Sequence, residues 1–506
     1  MGILEDRKGT DADNQQVQRR PHVIAVPCAF FGHITPFMDL CHLLAGNGML
    51  VTLITTPRFK DRITIEEGAD IRVGLVDDRL PPSYRPSIND IPNYLHHFEL
   101  MRWPVQHYLV ALCSEASTLP LTCLISDSHL GWTQDISDDL GIPRVCFLTS
   151  STIEFSAIFH QPLLVSMGVL PLKARTDDTN PSSDIISCIP GVPPVHRTEM
   201  LTFQQVEDSS DFEFQYFSRN CGRAAEAERL LTTSFYDLEI PMVEALSKSK
   251  VNVKPIGPMV LLINKLGACS TNRHTKPLPK VEKWEQWLDK QEAKSVIYIA
   301  FGSVANLTEK EVKAIAGGLE LAESKFIWAL REGLVEGMDD PFPVGFRERA
   351  EQEGRGLVVP WVSQRRLLDH AAIAAFLTHS GWGSSMESIH AGVPVLSWPL
   401  YGDQCLNCKL ITEIWRAGVK VGSGLIYDRR SLLSPQHVAS SISTLFSSPE
   451  YRHNIKKLQD LAFQACAPGG SSYENFFEFV RDMHALACGS KVYKSNRGRE
   501  NGTKLA

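Results

Sequence analysis

Short runs of consecutive apolar residues alternate with longer stretches of helical spacing along most of the chain. His22 to Pro27 (HVIAVP), Leu50 to Thr55 (LVTLIT), Thr122 to Ser126 (TCLIS) and Arg144 to Thr149 (RVCFLT) show no polar alternation, as expected of parallel strands covered on both faces. Ile34 to Gly48 places apolar residues at helical spacing between the first two runs, which predicts a βαβ unit. Arg229 to Ser234 and Val253 to Ile256 read as later strands of the same sheet. Residues 262–283 then turn small, polar and basic, with two prolines, as a linker would. Strand runs resume at Ser295 to Phe301, Lys325 to Arg331, Ala374 to Thr378 and Val393 to Trp398, with helical spacing over Thr308 to Leu321 and Asp403 to Trp415. Two α/β domains are predicted, 21–261 and 284–465, followed by a C-terminal helix within 466–488 and flanked by tails at 1–20 and 489–506.

Ligand groups in an open parallel sheet gather beyond the carboxyl ends of the strands. His33 follows the first strand, and Asp127 ends the Thr122 strand. A carboxylate there can orient a histidine that acts as a base. The plainer alternatives are a histidine with a local hydrogen bond and an aspartate that caps the next helix. Residues 80–105 form a Pro- and aromatic-rich excursion of the kind that shapes substrate pockets. Phe30, Phe31, His96, His97, Phe98, Phe155 and Tyr401 are the expected pocket walls, with core packing as the alternative.

The densest signal lies between Trp361 and Gln404. After the Ala374 strand, Gly381 and Gly383 bracket a turn, and Ser384 with Glu387 has the spacing of a helix-opening capping box. Free amides and the positive end of a helix dipole suit a diphosphate. Ser303, His379 and Ser384 are suitable further donors. The glycines partly match a dinucleotide fingerprint, but Met386 stands where the third glycine belongs, so a nicotinamide-dependent dehydrogenase is the weaker alternative. Cys405 and Cys408 form a lone CxxC without zinc-ligand company.

Charge and cysteine usage narrow the class. A net charge of −7 over 506 residues argues against nucleic-acid binding. Twelve scattered cysteines, no membrane-length apolar run and a polar first twenty residues predict a cytoplasmic protein, and a monomer is the expectation for its assembly.

Trp361, Gln364, His370, Thr378-His379, Gly381-Trp382, Ser384, Glu387, Gly392-Val393-Pro394, Trp398-Pro399 and Asp403-Gln404 together resemble the signature of plant UDP-dependent glycosyltransferases. Gly32-His33 with Pro36, Asp127 with Trp132, and Phe301-Gly302-Ser303 extend the resemblance over nearly the whole chain. The resemblance implies a GT-B fold, two Rossmann-like domains facing across a cleft. It implies His33 as general base and Asp127 as its partner. Trp361 would stack on uracil beside Val362, and Gln364 and Glu387 would hold the ribose. Ser303, His379, Gly381, Gly383 and Ser384 would face the diphosphate, and Trp382, Asp403 and Gln404 the sugar. The implied reaction is an inverting transfer of glucose from UDP-glucose, without metal or other cofactor, to a phenolic such as a flavonoid. Terpenoid acceptors, transfer to carbon and an inactive nucleotide-sugar binder are the alternatives. Four positions depart from the family pattern: Ser363, Ala374, Ser380 and above all Gly383, where the family usually has Asn.

Overall fold

The two sets of apolar runs build two separate parallel sheets. In the first, β1 (His22–Val26), β2 (Leu50–Thr55), β3 (Ile71–Leu75), β4 (Leu121–Asp127), β5 (Arg144–Leu148), β8 (Arg229–Thr232) and β9 (Val253–Pro255) lie in the order β3-β2-β1-β4-β5-β8-β9. A short antiparallel ribbon, β6 (Ile185–Ile186) with β7 (Val195–His196), stands apart. The second sheet joins β10 (Val296–Ala300), β11 (Lys325–Ala329), β12 (Gly356–Val359), β13 (Ile373–Thr378), β14 (Val395–Ser397) and β15 (Gly418–Lys420) in the order β12-β11-β10-β13-β14-β15. This computed structural model describes residues 20–61, 63–81, 84, 90–115, 119–172, 184–267, 282–304, 306–338, 340–422 and 434–490, with the side chain of Phe31 excepted. Most of the expected tails and of the expected linker lie outside those residues.

Every residue of β1, β2, β5, β10 and β13 is buried, as their unbroken apolar runs require. Strand order matters more for function. In each sheet one central pair marks the place where the chain turns from building outward in one direction to building in the other. That pair is β1 and β4 in the first sheet and β10 and β13 in the second. The crevice beyond the carboxyl ends of such a pair is the natural ligand site of an open α/β sheet.

Two expectations change. The start of the expected linker is instead a helix, Met259–Leu266, with Leu262 fully buried against the helix Phe31–Gly46. Its composition looked polar only because the window ran on past Gly267, whose left-handed backbone ends the helix. The helix of the dense stretch runs Trp382–Ala391 with Gly381 at its N-cap, three residues earlier than the Ser384–Glu387 spacing suggests. Ser384 and Glu387 therefore lie within the helix and form no capping box, which frees both side chains for the cleft.

The domains meet around the cleft rather than hanging on the linker. Arg365 Nη2 donates to Asp39 Oδ2 at 2.8 Å, Trp382 Nε1 to Thr233 Oγ1 at 3.1 Å, and the Gly402 amide to Thr202 Oγ1 at 3.0 Å. The last helix, Ser471–Ala487, returns to the first sheet. Its Glu478 accepts from Lys254 at 2.8 Å, and Asp482 pairs with Arg229.

Candidate active site

A cavity of about 430 Å³ occupies the cleft and is walled by both domains. Its first-domain wall grows from β1, β4 and β5. His33 sits in the first turn of the helix that follows β1, and Asp127 is the last residue of β4. Adjacency of β1 and β4 brings them together: His33 Nδ1 lies 2.7 Å from Asp127 Oδ2. The His129 amide donates to the other oxygen of Asp127 at 3.0 Å, so both are committed. Asp127 is fully buried, while the His33 side chain keeps 18% of its surface exposed and lines the cavity. A carboxylate only accepts, so Nδ1 carries the ring hydrogen and Nε2 is left as the basic nitrogen. Thr149, one residue beyond β5, places Oγ1 2.8 Å from the same Nδ1.

Electrostatics support this tautomer. Burial alone would lower the pKa of His33, but the Asp127 charge and hydrogen bond outweigh it, and the pKa ends above its ordinary 6.5. Burial works against ionised Asp127, and its contacts with His33 and His129 prevail to keep its pKa low. Asp127 caps no helix: the next one, Thr133–Leu140, has Trp132 at its N-cap without a side-chain bond. Cys28, His33, Asp127 and His129 also bring potential metal-ligand atoms within 4.8 Å of one another, a grouping that no sequence spacing announced. The hydrogen bonds of the pair already account for the short distances among its polar atoms.

The facing wall grows from β10 and β13. Gly302 and Ser303 follow β10, and His379 to Ser384 lead from β13 into the Trp382 helix. The His379 ring fits between two glycines. A Cβ on Gly302, itself at φ +68°, would stand 2.7 Å from the ring, and one on Gly381 2.6 Å from Nε2. Burial, then Arg331, pushes His379 down to about 4, so the ring is neutral near pH 7. Gly383 borders the cavity with nothing within 4 Å of where its Cβ would be.

The remaining donor-side groups hold one another in place. Gln364 Nε2 donates to Glu387 Oε2 at 2.7 Å and to Ser384 Oγ at 3.1 Å, while its Oε1 accepts from Tyr298. Glu387 Oε1 accepts from Arg365 Nε at 2.8 Å, the same guanidinium that reaches Asp39. Gln404 Oε1 accepts the Leu400 and Tyr401 amides, which fixes the side chain with Nε2 as its free donor end. Asp403 accepts from Asn407 at 2.7 Å, and burial raises its pKa. The Trp382 indole is buried and bonded to Thr233, so only its backbone is left for a ligand. Trp361 lies 71% exposed just past β12, and Val362 is buried in the core below; neither borders the cavity.

The expected acceptor walls need correction. Phe30 and Tyr401 line the cavity, and the side chain of Phe31 lies outside the described residues. His96, His97, Phe98 and Phe155 do not line it. The error is one of helix phase. On the helix Ile91–Leu100, His96 and His97 lie off the face shared by Ile91, Leu95 and Phe98, and Phe98, though on that face, is buried behind Phe30 at 5.4 Å between ring centroids. His97 bonds the Asp78 carbonyl, and His96 stands near Phe212. On the helix Thr152–Phe159, Phe155 stacks on Phe159 in the core, and its neighbour Glu154 faces the cavity.

The profile of the UDP-glucoronosyl and UDP-glucosyl transferase family matches residues 116–465. The chain belongs to this family. Linamarin synthase 1 of Manihot esculenta is 29% identical over 92% of this chain and 97% of its own length. UDP-glycosyltransferase 85A1 of Arabidopsis thaliana is 30% identical over 80% and 85%. Among solved structures, Medicago truncatula UGT71G1 complexed with UDP-glucose superposes with a TM-score of 0.76 at 21% identity, over 92% of this chain and 99% of that one. Os79 from O. sativa in complex with UDP gives 0.76 at 24%, over 91% and 100%. The protein is thus a UDP-glycosyltransferase with the GT-B fold, similar to the plant enzymes. Among the described residues, no helix is long and apolar enough to cross a membrane.

The sequence did not single out Thr149, His129, Glu154 or the Arg365–Asp39 pair. One signal was available for Thr149 and its neighbours: they follow β5 on the same sheet edge as His33 and Asp127.

Proposed function

We propose that this UDP-glycosyltransferase transfers glucose from UDP-glucose, with inversion, to a hydroxyl of a small and largely apolar acceptor. The observation that carries the reading is the 2.7 Å His33–Asp127 contact on the wall opposite His379 and the start of the Trp382 helix. His33 Nε2 takes the proton as the acceptor oxygen attacks the anomeric carbon, and Asp127 steadies the imidazolium. The bond from that carbon to the phosphate oxygen breaks, and UDP leaves with the electron pair. Its charge meets the first-turn amides of the Trp382 helix, with Ser303, His379 and Ser384 as side-chain donors. With those donors in place no divalent cation is invoked, and turnover should persist in EDTA. Gln364 and Glu387, already bonded to each other, present a ribose site, and the exposed Trp361 ring is a platform for uracil. Asp403 and the free end of Gln404 would hold the glucose hydroxyls.

For the acceptor, Phe30, Ile91, Leu95, Phe203 and Phe217 favour a compact ring system, and a phenol such as a flavonoid is the class we place first. The relatives named linamarin synthase and (R)-mandelonitrile beta-glucosyltransferase make small cyanohydrins the comparison class. All eleven described cysteines are free, which suits a reducing cytosol. The test is a mass-shift screen of UDP-glucose and other UDP-sugars against phenols, terpenoids and cyanohydrins. The expected result is gain of one hexose from UDP-glucose on a phenol. Binding of UDP without transfer to any acceptor would contradict the reading.

A further inference from the structure

On the first-domain part of the cavity, one carboxyl is left unused by the proposed chemistry. Glu154 is the third residue of the helix Thr152–Phe159, whose N-cap Ser151 accepts the Glu154 amide. The residue is only 5% exposed, borders the cavity, and has no hydrogen-bond partner for Oε2. His129, on the same wall, is 8% exposed and has none for Nε2. The other carboxylates around the cavity are matched: Asp39 and Glu387 by Arg365, and Asp403 by Asn407. A buried carboxyl left unpaired opposes folding, because it gives up water and gains nothing. Such a group makes sense where a ligand completes it.

The surroundings state which ligand. Burial, and after it the Asp403 charge, raise the pKa of Glu154 well above its ordinary value against a contact from Ser150, which favours the protonated carboxyl, a group that can both donate and accept. A hydroxyl satisfies both capacities at once. The donor sugar already has Asp403 and Gln404, and the helix that carries Glu154 packs chiefly on the helix Phe212–Gly222, which brings Phe217 to the cavity. We propose that the acceptor carries a second hydroxyl, apart from the one that attacks the sugar, and that Glu154 reads it, with His129 Nε2 as a further partner. This rests on the acceptor chamber assigned above and makes Glu154 a specificity-determining residue.

The experiment measures binding, so it does not depend on turnover. Protein saturated with UDP is titrated calorimetrically with matched pairs: 4-ethylphenol against 4-(2-hydroxyethyl)phenol, and 2-naphthol against 2,6-dihydroxynaphthalene. The wild type should prefer the diol of at least one pair by about 5–10-fold, the worth of one buried hydrogen bond. Glu154→Gln, the same size and still a donor and acceptor, should keep most of the preference, and Glu154→Leu should abolish it. A wild type that binds mono-ols and diols alike, or neither, would overturn the proposal. So would a Glu154→Leu protein that keeps the preference, or one whose loss falls only on UDP-glucose affinity, which would move Glu154 to the sugar site. Loss of catalysis with the diol preference intact would overturn the proposed reaction and leave this subsite standing.

Discussion

The two walls of the cleft occupy equivalent points of two similar sheets, yet they treat their polar groups in opposite ways. On the second-domain wall, Gln364, Glu387, Arg365 and Gln404 are bonded to protein before any ligand arrives. On the first-domain wall the His33–Asp127 unit is fixed and Asp39 and Thr233 are bonded across the cleft, but Glu154 Oε2 and His129 Nε2 stand unpartnered. Pre-bonded groups suit a ligand that is always the same, because little ordering entropy remains to be lost on binding. Unpartnered groups suit a ligand whose identity has to be tested, because the wrong acceptor leaves a buried polar atom unpaired. The difference assigns constancy to the donor side and selectivity to the acceptor side.

The largest expected effect comes from breaking the fixed His33–Asp127 unit on the selective wall. His33→Ala should lower kcat by about 10²–10⁴-fold, the usual range for a general base. Its affinity for UDP, read by calorimetry, should stay near wild type, because His33 lies across the cavity from the donor groups. Loss of both together would mean the walls are not separable.

A smaller effect tests the constant wall at its weakest position. In the proposed donor site Gly383 would offer the diphosphate an amide but no side chain, and the space beside it is open. Gly383→Asn should tighten UDP-glucose by about tenfold or more, since a hydrogen bond to a charged group contributes about 1.5–3 kcal/mol. Unchanged affinity would show that neighbouring donors already compensate.

The smallest effect is on stability and has the opposite sign from most core substitutions. Glu154→Leu removes a buried carboxyl whose Oε2 has no partner, so it should raise the melting temperature, by roughly 1–3 °C for about 1 kcal/mol. A fall would mean that Glu154 has a protein partner in solution, and the contrast between the walls would soften.

The same contrast explains what could be seen in the sequence. The donor wall is mostly one continuous stretch, so Gln364, His379, Ser384, Glu387 and Gln404 could be named from spacing and resemblance. The acceptor wall is assembled by sheet order from distant segments. His33 and Asp127 are 94 residues apart and His33 and Thr149 116 apart, while Arg365 and Asp39, which tie the walls together, are 326 apart. His33 and Asp127 were legible because each lies at a strand end. Thr149 lies at one too, but a threonine there announces no chemistry by itself. An aromatic such as Phe155 looks like a pocket wall in the sequence, yet one residue turns a helix by about 100° and exchanges core for cavity, so it is the neighbouring Glu154 that borders it. The capping spacing of Ser384 and Glu387 misled for a related reason. Gly381 can cap with its backbone alone, which lets the helix begin earlier and sends both side chains to the ligand.

The central claim is that Asp127 holds His33 as a base facing the bound sugar. The pH dependence of kcat/KM, for wild type and Asp127→Asn, tests it most directly, because it reports ionisations of the free enzyme. His33 must be neutral to accept a proton, and Asp127 holds its pKa above 6.5, so wild-type activity should fall as pH drops through a limb above 6.5. Without the carboxylate, burial dominates, so the limb of Asp127→Asn should move to lower pH while its plateau falls. An acid limb at the same pH in both proteins would contradict the account and reduce Asp127 to a structural residue of β4.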